Sequence, residues 1–178
     1  RCTFNIEGDA YNVWTYGATE ALFEDCTFNC DGKSLLIYNE GYNGSNITLN
    51  NCVFNSNGNS FDGKAAVEID SSLLKDNQLY NVYINECTVN GFAEGSASKS
   101  VVYNPKKGTK ANVYVDGVTV WVAGYSSLAN YPNVFTKDGE FYVFNAEGLM
   151  DLNKYFKANW GANDLYRTYN IAADINAE

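Results

Sequence analysis

The sequence predicts an all-β chain, a parallel β-helix of about four to five coils followed by a small strand–helix–strand unit. Three observations predict it. A short phrase recurs: Cys2-Thr3-Phe4-Asn5, Cys26-Thr27-Phe28-Asn29, Cys52-Val53-Phe54-Asn55 and Cys87-Thr88-Val89-Asn90, with a worn copy at Val118-Thr119-Val120-Trp121. The steps of 24, 26, 35 and 31 residues are the size of one solenoid coil. Apolar residues alternate with polar ones before and within each copy, and the pattern gives way to helical spacing near the C-terminus.

Each repeat reads as two strands and a bend. Ala21, Ile47, Val82 and Val113 share one position, and Phe23, Leu49, Ile84 and Val115 another. Leu22, Thr48, Tyr83 and Tyr114 lie between them and so face the opposite way. A polar pair follows (Glu24-Asp25, Asn50-Asn51, Asn85-Glu86, Asp116-Gly117) and favours a bend. In the next strand Cys26, Cys52, Cys87 and Val118 point inward, as do Phe28, Phe54, Val89 and Val120, while Thr27, Val53, Thr88 and Thr119 point out. Asn29, Asn55 and Asn90 end three of these strands, where an Asn can take the left-handed conformation and bond its copies above and below.

A third strand precedes each pair: Val13-Trp14-Thr15-Tyr16, Leu35-Leu36-Ile37-Tyr38, Val67-Glu68-Ile69-Asp70 and Val101-Val102-Tyr103-Asn104. Three strands per coil, each paired with its copy about 4.8 Å away, stack equivalent side chains in columns. The steps lengthen where residues 55–64, 71–81 and 91–100 intrude as loops, and loops of a solenoid often carry its binding face.

The Cys, aromatic and Asn columns of residues 1 to about 125 resemble the right-handed, single-stranded parallel β-helix, or pectin-lyase-like, superfamily, and most of all the repeat-rich surface proteins of gut bacteria. That fold hosts lyases, hydrolases, adhesins and phage spikes, so the resemblance implies a scaffold rather than an activity.

After Tyr125 the repeat fades. Residues 126–139, with Pro132, read as a linker, and residues 140–178 as a cap or the beginning of a following module. Phe141-Tyr142-Val143-Phe144 is a strand, and Asn145 caps a helix whose third position is Gly148, so no capping box forms. Leu149, Leu152, Tyr155, Phe156 and Trp160 fall on one helical face, Gly161 suits the stop, and a last strand runs from Tyr166 to Ile175. A solenoid end exposes apolar surface and unpaired edges, which such a unit covers.

Composition bounds the function. A formal charge of -9 repels a nucleic-acid backbone, and no apolar run is long enough to insert in a membrane. No signal peptide is visible, and the chain opens inside a repeat, which reads as a piece of a longer protein. Abundant Asn, Gly, Ser, Thr and Tyr point to an extracellular or cell-surface location. The five cysteines lack the spacing of a zinc or redox motif and read as small buried apolar side chains.

Catalytic parts are sparse. The polygalacturonase pattern implied by the resemblance needs a His, and the chain has none. The pectate-lyase pattern needs calcium-binding carboxylates and a basic residue, yet the arginines, Arg1 and Arg167, lie off the central coils. Glu68 and Asp70 face outward from one strand, and Glu24, Asp25 and Glu86 sit at bends. Asp31-Gly32-Lys33 and Asp62-Gly63-Lys64 both precede a strand, and Asp-Gly reads as turn chemistry rather than a metal site. Nothing in the sequence buries Lys33 or Lys64 as a base would require. No catalytic residue, metal site or cofactor is assigned. Asn43-Gly44-Ser45 and Asn46-Ile47-Thr48 are sequons of the kind that Asn-rich text produces by chance.

Outward aromatics are the better candidates. Trp14, Tyr16 and Tyr38, with Leu36, would face out from neighbouring coils, and Tyr83 and Tyr114 from another face. Flat rings on a rigid ridge suit sugar stacking. The expectation is a non-catalytic, adhesin-like or stalk segment that binds a glycan, such as a host or cell-surface polysaccharide. The alternative is a fragment of a polysaccharide lyase or glycoside hydrolase whose catalytic residues lie outside this chain.

Overall fold

The computed structural model describes residues 1–17, 20–39, 44–57, 64–93, 99–161 and 167–175. The chain visits three sheets in fixed rotation. The first turn lays down β1 (Thr3–Asn5), β2 (Val13–Trp14) and β3 (Glu20–Glu24), and the second β4 (Thr27–Cys30), β5 (Leu35–Tyr38) and β6 (Asn46–Asn50). The third gives β7 (Val53–Ser56), β8 (Val67–Asp70) and β9 (Tyr80–Asn85), and the fourth β10 (Thr88–Asn90), β11 (Tyr103–Lys107) and β12 (Ala111–Val115). Sheet A runs β1-β4-β7-β10, sheet B β2-β5-β8-β11 and sheet C β3-β6-β9-β12, with every neighbouring pair among these twelve strands parallel. This is a β-helix-like, all-β arrangement.

The columns follow from that register. Phe4 pairs with Phe28 and Phe28 with Phe54, and their rings stack at 4.9 and 4.7 Å. Phe28, Phe54, Ile47, Leu49, Val82, Leu35 and Val67 are fully buried in one continuous core between the sheets. The Asn column is a hydrogen-bonded ladder, in which Asn29 donates to Asn5 at 2.7 Å, Asn55 to Asn29 at 2.9 Å and Asn90 to Asn55 at 2.9 Å. Sheet C carries a second ladder, Asn112 to Asn81 to Asn46, both bonds 3.0 Å. The left-handed conformation falls not on the ladder Asn but on the second residue of each bend, Asp25, Asn51 and Glu86, with φ of 53°, 50° and 53°. Asn51 there donates to the Asp25 carboxylate at 2.7 Å, so the bends are ladders too.

The five cysteines are free. Cys26, Cys30 and Cys52 are buried, Cys87 half-buried, and Cys2, on the first coil, exposed. Burial pushes the Cys30 and Cys52 thiols up and that of Cys87 up to about 11. Raised thiols hold little thiolate, the reactive form. Alkylation of the native protein at about pH 8, a little below the ordinary cysteine pKa, is therefore expected to label Cys2 first and the other four only on unfolding. Mass spectrometry reads the order; labelling of Cys52 as fast as Cys2 would contradict this core.

Four expectations are corrected. The worn copy does not stack on sheet A: β13 (Val118–Trp121) turns back antiparallel onto β12, leaving Val118 44% exposed. At the earlier bends only the second residue has positive φ, but Asp116 and Gly117 both do (49° and 78°), which converts a bend into a two-residue hairpin. In sheet B, Tyr103 rather than Val101 aligns with Val67. Trp160 lies beyond the helix and is 85% exposed. The last strand is confined to β17 (Tyr169–Ile171), while Tyr166 lies outside the described residues.

The C-terminal unit is a mixed sheet, β14 (Ser126–Leu128), β15 (Tyr131–Lys137), β16 (Glu140–Val143) and β17, with α1 (Ala146–Ala158) joining the parallel pair β16 and β17. Residues 126–139, read as a linker, thus carry two strands, with Pro132 near the start of β15. Asn145 caps α1, its side chain accepting from the Gly148 amide at 2.7 Å. Gly148 is required where it stands, because a Cβ would lie 2.8 Å from the Asn133 carbonyl. Leu152 and Tyr155 pack on Val134, Phe141 and Val143 as a second core. Asn145 also donates to the Thr119 carbonyl at 2.9 Å, tying this unit to the hairpin that ends the coils.

Candidate functional site

The outer face of sheet B gathers most of the chemistry. Its register aligns Trp14 with Leu36 and Leu36 with Glu68 in one row, then Asn104, and aligns Tyr38 with Asp70 in the next. At one end of this face Trp14, Tyr16 and Tyr38 form a cluster, with ring centroids 5.5 Å apart for Trp14 and Tyr38, 5.7 Å for Trp14 and Tyr16, and 6.0 Å for Tyr16 and Tyr38. Trp14 is 54% and Tyr16 50% exposed. Tyr83 and Tyr114 stack at 5.0 Å and 9° on sheet C, on a different face of the coil, in a row that continues through Thr48 to exposed Leu22. The five predicted aromatics are therefore two separate sets.

Leu36 and Glu68 face the outer side of sheet B, yet both are buried, and Glu68 completely. Tyr11 and two lysines gather around Glu68. Glu68 Oε1 lies 3.1 Å from Lys64 Nζ and 3.5 Å from Lys106 Nζ. Both ammonium groups donate to the Tyr11 hydroxyl, at 3.2 and 3.1 Å. Lys33 joins them, 5.6 Å from the Tyr11 ring centre and paired with Asp9. Three lysines from three successive coils thus meet at one phenol.

Burial governs the titration here. It pushes the Tyr11 phenol up to about 12 and holds the Lys64 ammonium below the ordinary lysine range, against the pull of Glu68. Lys106 is also partly desolvated, yet the Tyr11 hydroxyl and the Glu68 charge hold it above that range. The Lys33 ammonium keeps Asp9 low. The sequence offered no sign that Lys64 is partly buried; the structure provides it. Among the described residues Glu68 Oε2 is buried without a hydrogen-bond partner. An acceptor left so is costly unless something donates to it.

Two of the other predicted acids, Asp70 and Asp25, are occupied locally. Asp70 accepts from the Ser72 amide at 3.1 Å and hydroxyl at 2.5 Å, and Asp25 from Asn51. Among the described residues no three His, Cys, Asp or Glu side chains converge as a metal would need. Asp62, Gly63 and Asn43 lie outside the described residues, as do parts of the 55–64 and 91–100 loops. Tyr11 and Lys106 were missed by sequence reasoning. The usable signal was the Asp-Gly-Lys phrase repeated before β5 and β8, which places lysines on one edge of one sheet.

Among the described residues no helix is long and apolar enough to cross a membrane. Compared with protein families, with curated proteins and with solved structures, the chain shows no match.

Proposed function

We propose that this chain is a non-catalytic segment of a bacterial extracellular or cell-surface protein, a right-handed parallel β-helix of the pectin-lyase-like kind, that acts as an adhesin-like or stalk module and binds glycan on the outer face of sheet B. The observation that carries the reading is the Trp14–Tyr16–Tyr38 cluster at one end of sheet B, in which Trp14 and Tyr16 are half-exposed and Tyr38 is partly buried. Aromatic faces take the apolar face of a pyranose, and a sheet holds them at fixed spacing without an ordering cost on binding. A glycan array with and without calcium tests it. Binding to one sugar class, lost in the Trp14→Ala/Tyr38→Ala double variant but retained in Tyr83→Ala, is the expected result. Silence across the array would leave a spacer.

The second reading, a fragment of a polysaccharide lyase or hydrolase, is favoured by one observation, the partly buried Lys64 beside Tyr11, its ammonium held below the ordinary lysine range. Calcium-dependent release of unsaturated sugar products would move the conclusion to it.

A further inference from the structure

We infer that the Tyr11–Lys33–Lys64–Lys106 cluster is an anion subsite of the sheet B face, taking the carboxylate or sulfate substituent of an acidic sugar whose ring lies on the aromatic cluster. The inference rests on the glycan reading above and names the class of sugar.

Charge is the first argument. The chain carries a net -9, yet here three ammonium groups meet two carboxylates, Glu68 and Asp9, leaving a local positive excess. An acidic surface repels polyanions in general and admits one only where such an excess sits. Construction is the second. Glu68 has a side chain 1% exposed, and one of its oxygens draws Lys64 and Lys106 together beside the Tyr11 hydroxyl. The lysines are thereby held in place before a ligand arrives, which a solvated lysine is not. Lys106 keeps 33% of its side chain exposed and Lys33 17%, so the cluster is reachable.

Position is the third argument. Trp14, Leu36 and Glu68 are aligned residues of adjacent strands, so Trp14 stands two strand spacings, roughly 10 Å, from Glu68. That span is about two sugar units, close enough for one chain to meet both sets. Tyr83 and Tyr114, on sheet C, have no comparable lysine group among the described residues.

Backbone-matched polymers test this with the intact chain: hyaluronan against its carboxyl-reduced form, and dextran sulfate against dextran, by titration calorimetry at low and high salt. The expected result is binding of a charged member and not its neutral match, weakened by salt. Lys64→Gln and Lys106→Gln are each expected to weaken it by about tenfold, the worth of one charge-assisted hydrogen bond, with Lys157→Gln on the helix unchanged. Circular dichroism and thermal unfolding establish that each variant is folded, and Lys106→Gln, at the more exposed position, reports even if Lys64→Gln unfolds. Which charged member binds separates carboxylate from sulfate. Equal binding of charged and neutral members, or binding unmoved by both lysine variants, overturns the anion subsite and leaves the aromatic reading standing. If no polymer binds and the array is silent, both fall.

Discussion

Truncation of Phe54 to alanine is expected to cost ~3–5 kcal/mol of folding stability, among the largest losses any single change in this chain should bring. Phe54 is fully buried, its ring centre is 4.7 Å from that of Phe28 with the two planes nearly parallel at 8°, and it sits in the third coil with a neighbour on both sides. In a stacked array stability is a sum of coil terms and nearest-neighbour interfaces, so a central deletion weakens two interfaces at once. Phe4→Ala is the control. Phe4 heads the same column but is half-buried on the first coil, and its loss should be about half as large. Urea unfolding of both variants measures the difference. A Phe54→Ala loss below about 1 kcal/mol, or equal losses at both sites, would mean the column does not hold the coils together.

The reason that column could be read from the sequence also explains what could not. In sheets A and C one face meets the core and the other meets water, so apolar and polar residues alternate and register follows, as for Ile47-Thr48-Leu49 and Val82-Tyr83-Ile84. Sheet B is covered on both faces over its middle strands. Leu35, Leu36 and Ile37 are all buried, and a continuous apolar run carries no inside–outside signal. The covering group, Tyr11, comes from residues before β2, and no local pattern announces a contact with Lys106, 95 positions away. The hairpin at Asp116-Gly117 was missed for a different reason. Alignment placed the pair in the bend column, where composition matched, whereas the decisive property was a second left-handed residue that Gly makes inexpensive. The C-terminal unit was legible at the helix cap and at the Phe141 strand. It was not legible at β15, because Pro132 signals a break although a strand tolerates Pro near its start.

The second large effect should come from Glu68, and its pattern separates a structural role from a functional one. Removing the carboxylate in Glu68→Ala leaves Lys64, only 13% exposed, facing Lys106 without the charge between them. Breaking a fully buried pair costs ~3–5 kcal/mol; the partial exposure of both lysines brings the expected loss to about 2 kcal/mol. Replacing both partners is another matter. Glu68 aligns with Leu36 in the preceding coil, and that position is buried with no charge at all. A Glu68→Leu/Lys64→Met chain would extend the apolar row, and it is expected to fall within ~1 kcal/mol of the parent protein, since buried ion pairs seldom outperform apolar side chains of like volume. Thermal and urea unfolding of the two singles and the double closes the cycle. A double variant as unstable as the two singles combined would make the cluster a stability element. Recovery of stability together with loss of anionic-polymer binding would show that the coil forgoes a simpler apolar row at Glu68 to hold its lysines in place, and sites where a fold departs from its own repeat are where function is expected.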